Sequence, residues 1–315
     1  MTATHYNEHD RTGIAKVSAL MRAYAELAKV RLILLVVATT AVGFAMAGGP
    51  HGDTATFLWT LLGTGLAAAG SMALNQVLEA DRDARMVRTR TRPLPAGNIG
   101  RPAAALSGAV AAALGLVVLT VRATVVTASL GLAVVLLYTL VYTPLKPRTP
   151  LCTLFGAVCG AIPPMMGWSA TGAALSFGAW FLAGVLFLWQ IPHFLALAWL
   201  YREDYERGGF RMLPVVDPSG RVTGQMAVLY ALALLPCGVM AAMGGLTGWL
   251  FAAGSLVLGA ALVTLALQLS ATRTEPVARR LFLATLAYLP LLLGLMVADR
   301  TPLDSARLAA TMLAK

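Results

Sequence analysis

Charge is scarce in this chain. Of its 315 residues only 12% are Asp, Glu, Lys or Arg and 58% are hydrophobic, against about 25% charged in a soluble globular domain. That excludes a soluble enzyme and leaves a polytopic membrane protein. Cysteine is nearly missing too. Cys152, Cys159 and Cys237 all lie in apolar segments and none sits in a C-x-x-C pair, so no disulfide framework is implied. Cys152 and Cys159 share a helical face and read as small packing residues. Of four histidines, only His193 falls inside an apolar segment. The first sixteen residues lack an apolar core and a cleavage signal, so they do not read as a secretory peptide. They read as a disordered polar N-terminus. Residues 17–300 then form one intramembrane domain, followed by a short tail, 301–315. No stretch has the composition of a soluble domain.

What is abundant is apolar sequence in long runs. Nine segments are long enough to span a bilayer: 32–48, 56–78, 102–121, 124–142, 151–168, 177–201, 222–244, 248–269 and 277–298. The expected fold is all-α, nine transmembrane helices bundled around a central apolar cavity. Residues 17–31 mix apolar positions with Arg22, Glu26, Lys29 and Arg31, the pattern of a helix lying in the interface. The net charge of +10 does not point to nucleic acid, because it is dispersed over the loops. Of the 24 basic residues, all but Arg122, Arg300, Arg307 and Lys315 fall in the N-terminal segment and in alternate loops. This bias predicts a cytoplasmic N-terminus and an external C-terminus.

Acidic residues are rarer than basic ones, and their placement is informative. Glu79, Asp81 and Asp83 follow the second apolar segment; Glu203, Asp204 and Glu206 follow the sixth. Both groups fall on the expected cytoplasmic side. Asn75, Glu79 and Asp83 are spaced four and four, so on a helix they line one stripe. Arg88, Arg90 and Arg92 come next, closed off by Pro93 and Pro95. Oxygen ligands suit hard Mg²⁺, and guanidinium groups suit phosphate. Together they fit a magnesium diphosphate.

Two further groups stand out. Trp189, Gln190, Pro192 and His193 lie on the sixth segment, with Asp204 eleven residues beyond the histidine, close to three helical turns. His193 could ligate a haem iron, accept a proton, orient a polar substrate edge, or simply be a packed, hydrogen-bonded group. Asp204 could instead be a solvated helix end paired with Arg202 or Arg207. Pro192 should open or kink its helix. In Tyr142-Thr-Pro-Leu-Lys146, tyrosine and lysine are four apart. Alone they read as an interfacial tyrosine and a snorkelling lysine; beside the other groups Lys146 suits phosphate. The paired Pro163 and Pro164 predict a break inside the membrane.

These motifs carry a resemblance. Asn75-x-x-x-Glu79-x-x-x-Asp83 with Arg88-Thr89 and Arg92-Pro93-Leu94, Tyr142-Thr143 with Lys146, Gly160-Ala161-Ile162-Pro163-Pro164, and Trp189-Gln190-x-Pro192-His193-Phe194 with Asp204-Tyr205 resemble the intramembrane aromatic prenyltransferase superfamily, and within it the branch that farnesylates haem. The likeness covers about residues 20–298. Val30 and Cys152 depart from it, where proline and asparagine are expected. It implies transfer of a farnesyl group from farnesyl diphosphate to a vinyl group of haem B, with addition of water, giving haem O. It implies Mg²⁺ held by Asn75, Glu79 and Asp83, with a second ion near Asp204. Arg88, Arg92, Lys146 and Tyr142 would hold the diphosphate, and His193, Trp189 and Gln190 would hold haem. Catalysis would rest on Asn75, Glu79, Asp83, Lys146, His193 and Asp204. The implied setting is a bacterial inner membrane, with the site facing the cytoplasm and a haem A synthase or terminal-oxidase assembly factor as partner. A quinone-type prenyltransferase, a transporter and a haem-binding oxidase subunit are the rival readings. The last should show several spanning histidines, and a transporter two related halves.

Overall fold

The computed structural model describes residues 17–48 and 52–301. The expected disordered start, 1–16, and the tail beyond Thr301 lie outside the described residues. Residues 17–28 form α1. The chain continues through α2 (Val30–Ala47), α3 (Thr54–Asp83), α4 (Arg101–Arg122), α5 (Val125–Leu136), a π-helical turn (Leu137–Tyr142), α6 (Thr143–Leu145) and α7 (Cys152–Ala170). Then come α8 (Phe177–Leu200), two short helices, α9 (Arg202–Arg207) and α10 (Leu213–Val216), and α11 to α14 at Arg221–Leu234, Cys237–Met243, Trp249–Thr272 and Glu275–Ala298.

Among the described residues, eight helical stretches are long and apolar enough to cross a membrane. The expected span at 151–168 is α7, which is not among the eight. It is nineteen residues long and almost wholly buried, so protein rather than lipid surrounds it. It packs against α2, α5 and α8. The anticipated break at Pro163 and Pro164 does not occur: both prolines lie inside a continuous helix. Gly43 of α2 sits directly against the Pro164 carbonyl, with no room for a side chain between them. Such close packing by neighbouring helices is how proline is tolerated within a membrane helix. Pro192 is likewise inside an unbroken α8. An interruption falls instead in the seventh expected span, which is divided at Leu235 and Pro236 into α11 and α12.

Between α2, α3, α5 and α7 the packing is tight. The slot between Val36, Thr64, Ala67, Val135, Pro163 and Met166 holds about 20 Å³. Elsewhere Gly70 and Gly115 bring α3 and α4 backbone to backbone, the short-side-chain packing of lipid-embedded helices.

Three features position the site. First, α3 extends five residues past the expected end, so Asn75, Glu79 and Asp83 are all helical. Second, α1 lies against the bundle through Ala23 and Leu27, with Ala73, Ala80, Leu94 and Ile99. Its last carbonyls, Glu26 and Leu27, accept hydrogen bonds from Gln76 Nε2 at 3.3 and 2.7 Å, which satisfies a helix end that would otherwise be orphaned. Third, α5 loosens into the π-turn just before Pro144. Proline cannot donate to the carbonyl four residues back and its ring crowds it; the Thr143 amide and hydroxyl bond instead to Tyr138, five back.

Candidate active site

Asn75, Glu79 and Asp83 line one stripe of α3 and are 0%, 5% and 1% exposed. Buried carboxylates need counter-charge, and each finds it on a different segment. Lys146 Nζ lies 2.8 Å from Glu79 Oε1 and bonds to Oε2 at 3.1 Å. Arg92 Nη1 donates to Asp83 Oδ2 at 2.7 Å. Asn75 Nδ2 donates to Thr143 Oγ1 at 2.9 Å, and its Oδ1 accepts from Lys29 Nζ at 3.1 Å. The stripe on α3, the basic loop after it and the Tyr142–Lys146 turn thus meet in one place.

Lys29 joins this site without having been expected there. Its backbone is left-handed, φ 54° and ψ 54°, a conformation that costs a residue with a β-carbon roughly 1–2 kcal/mol. The strain ends α1 and starts α2 at the point that aims the ammonium at Asn75. Burial, then the positive charges of Arg92 and Lys146, push its pKa down to about 7, with Glu79 and Asp83 opposing. Burial is the largest influence on Lys146 and acts to lower it, but the Glu79 carboxylate together with Tyr138 and Tyr205 outweighs burial and the net shift is upward.

The donor set fits a hard divalent cation. All three side chains offer oxygen, and Asp83 Oδ1 is buried with no hydrogen-bond partner. A buried acceptor without a partner costs about 1–3 kcal/mol, and a metal ion or its water would satisfy it. No cluster of three His, Cys, Asp or Glu side chains suited to a metal exists among the described residues, so Asp204 is not brought into this set. It sits at the same end of the bundle but is spent on the loop. Oδ1 and Oδ2 accept from the backbone amides of Val87 and Arg88 at 3.0 and 3.1 Å, and Arg207 pairs with Oδ1 at 2.9 Å. Arg82 adds bonds to the carbonyls of Gly208 and Gly209 at 3.0 and 3.1 Å, and the Arg211 amide bonds to the Lys146 carbonyl at 2.7 Å. The second half of the chain therefore clamps the arginine loop.

Other expected residues are placed differently from one another. Arg88 does not reach the carboxylates; its guanidinium lies over the rings of Tyr201 and Tyr205, 4.7 and 5.8 Å from their centroids. Tyr142 packs on Gly156 and carries the Lys146 ammonium 4.5 Å above its ring. Gln190 is buried, with Nε2 donating to the carbonyls of Ala157 and Leu186 at 3.2 and 2.9 Å, a staple between α7 and α8. His193 is half-buried, stacked between Trp189 and Phe282 at 5.1 and 5.0 Å. Its Nδ1 is 2.9 Å from Thr285 Oγ1, while Trp189 Nε1 donates to the Thr285 carbonyl at 2.8 Å. Among the described residues Nε2 makes no hydrogen bond. Of the residues that sequence reasoning missed, Lys29 looked like one more interfacial charge, and Thr143 had no signal beyond its place beside Tyr142.

Comparison with known proteins gives this geometry a family. The family model for the UbiA prenyltransferase family matches residues 36–286. A protoheme IX farnesyltransferase of Solibacter usitatus is 38% identical over 289 residues, covering 89% of this chain and 99% of that one. Among solved structures, a digeranylgeranylglyceryl phosphate synthase superposes with TM-score 0.75 at 14% identity, over 89% of this chain and 98% of that one. A UbiA homolog from Archaeoglobus fulgidus bound to GPP and Mg²⁺ gives TM-score 0.61 at 15% identity, over 88% and 99%. The chain belongs to the UbiA prenyltransferase family: it is a multi-span membrane enzyme of prenyl transfer.

Proposed function

We propose that this enzyme moves a farnesyl group from farnesyl diphosphate to a vinyl group of haem B, with addition of water, giving haem O and diphosphate. The observation that carries the reading is the convergence of Asn75, Glu79 and Asp83 with Lys29, Arg92 and Lys146 at the same end of the bundle as the one histidine within an apolar span. The name and 38% identity of the Solibacter relative support it, as does the Archaeoglobus homolog, which binds GPP together with Mg²⁺. The positive-inside bias supports a site at the cytoplasmic face of a bacterial inner membrane.

An allylic diphosphate leaves when its C1–O bond breaks and the electron pair departs with the phosphate oxygen. Mg²⁺ bound through Asn75, Glu79 and Asp83 would neutralise that charge. Lys146, Arg92 and Lys29 are pre-aimed donors for the same oxygens. Glu79, Asp83 and the Asn75 amide oxygen hold them in place, so little reorganisation is needed. The vinyl π electrons then form the new C–C bond, and water captures the resulting cation and loses a proton. The buried walls around Asn75 and Thr143 keep bulk water away from the allylic cation. Asp204 acts by holding the arginine loop, and His193 by placing the haem through its open Nε2.

The direct test is incubation of membranes containing the protein with haem B and farnesyl diphosphate, with and without a chelator, followed by mass analysis of the porphyrin. A farnesyl-plus-water adduct that vanishes with chelator is expected. Unmodified haem with both substrates and magnesium present would end the proposal.

A further inference from the structure

A cleft of about 580 Å³ opens between the end of α8 and the start of α14, lined by Leu200, Tyr201, Glu275, Arg279, Phe282 and Leu283. This is within the range of small-molecule sites, roughly 300–1,000 Å³. None of these residues belongs to the diphosphate site, but the cleft meets the arginine loop that follows α3: Tyr201 forms its wall and stacks under the Arg88 guanidinium. Along α14, Arg279 neighbours Phe282 and Phe282 neighbours Thr285, each three residues on. The stripe reads from a charged rim to a polar floor. Arg279 is exposed and makes no ion pair among the described residues. Phe282 stacks on His193, and Thr285 hydrogen-bonds to it.

A planar apolar body with carboxylates along one edge matches this order of groups. On the haem reading above, on which this inference rests, we propose that the cleft receives the acceptor edge-on. The propionates sit at the rim on Arg279, the macrocycle lies along Phe282 and Leu283, and His193 stands at the inner end. Arginine suits a carboxylate because its fork of donors can bond both oxygens. One group opposes the fit. Glu275, held loosely by Arg202 at 3.4 Å, is a like charge at the same rim. That opposition supplies a test with two signs.

Full-length protein in lipid nanodiscs would be titrated with haem B, read by Soret absorbance, and assayed for the KM of each substrate. Arg279→Gln should weaken haem about tenfold, or ~1.4 kcal/mol, and leave the KM for farnesyl diphosphate unchanged. Arg279→Lys should recover part of the loss. Glu275→Gln should tighten haem a few-fold. Haem dimethyl ester, whose propionates are uncharged, should bind wild type and Arg279→Gln equally weakly. The assignment is overturned if Arg279→Gln binds haem as wild type does, if both substrates weaken alike, or if the ester binds wild type as well as haem B. Wild type that neither shifts the Soret band nor modifies haem would sink the haem reading itself; normal turnover with an indifferent Arg279→Gln would sink only the cleft.

Discussion

The two ends of the bundle use acidic residues in opposite ways. At the end away from the active site, Asp299 caps: its Oδ2 accepts from the Phe251 amide at 2.7 Å at the start of α13, while its carbonyl accepts from Gly248 at 2.8 Å. Arg300 donates to the Ala45 carbonyl at 2.6 Å near the end of α2. These charges complete helix termini, where free amides and carbonyls lack partners. Links there are short; two residues join α4 to α5. At the opposite end a long loop folds over the bundle, and Glu79 and Asp83 are buried beneath it against cations drawn from three separate segments. Asp83 keeps one oxygen without a partner. Asp299 meets a backbone amide at a helix start that needs it; Asp83 holds an oxygen that is buried and that no group among the described residues meets. That difference marks the active end, and charge alone would not.

The sharpest attempt to break this contrast is Asp83→Asn. The change keeps shape and removes the charge that faces the missing partner. Turnover of haem B should fall on the order of 10²–10³-fold, the scale of losing one preorganised electrostatic contact. The variant should still insert and elute as a monodisperse species in detergent. Near-normal turnover at low Mg²⁺ would make Asp83 another structural acid, like Asp299.

How far the sequence alone led follows from the same contrast. The spans were legible because apolar runs are a direct record of burial in lipid, and the stripe of Asn75, Glu79 and Asp83 was legible because helical spacing is periodic. Lys146 was expected beside phosphate, and it pairs with Glu79 of that stripe. Lys29 was not legible. A lysine before a first span is the commonest sight in a membrane protein, and no pattern announces a left-handed backbone. Nor was the use of Asp204, since backbone amides 116 and 117 residues away in the chain leave no trace in spacing. Pro163 and Pro164 misled because local propensity signals a break, whereas the neighbouring α2 holds the helix together.

A second test separates holding the fold from doing the chemistry within the active end. The Lys146–Glu79 pair is buried on both sides, with side chains 13% and 6% exposed. Lys146→Met strands a buried carboxylate, and the expected loss is about 3–5 kcal/mol, read as a large drop in thermal unfolding temperature in detergent. Adding Glu79→Gln removes the stranded charge and should restore most of the stability. Activity should stay lost in both, because the double variant has a quiet site with no cation for phosphate and one fewer charged ligand. A single variant as stable as wild type would mean that the pair carries no buried charge worth compensating.

The smallest effect belongs to the far end. Asp299→Ala removes the acceptor that meets the Phe251 amide, a loss comparable to removing a helix cap, about 1 kcal/mol. The unfolding temperature should drop by a few degrees, while the KM values for both substrates and the turnover stay within about twofold. The change acts through the packing of α13 against α14, and α14 carries Thr285 and Phe282 to His193, so the readout is not trivial. A selective rise in the haem KM would show that the far cap tunes the acceptor side through that helix. The two ends would then be coupled, and a buried oxygen without a partner would no longer tell chemistry from structure.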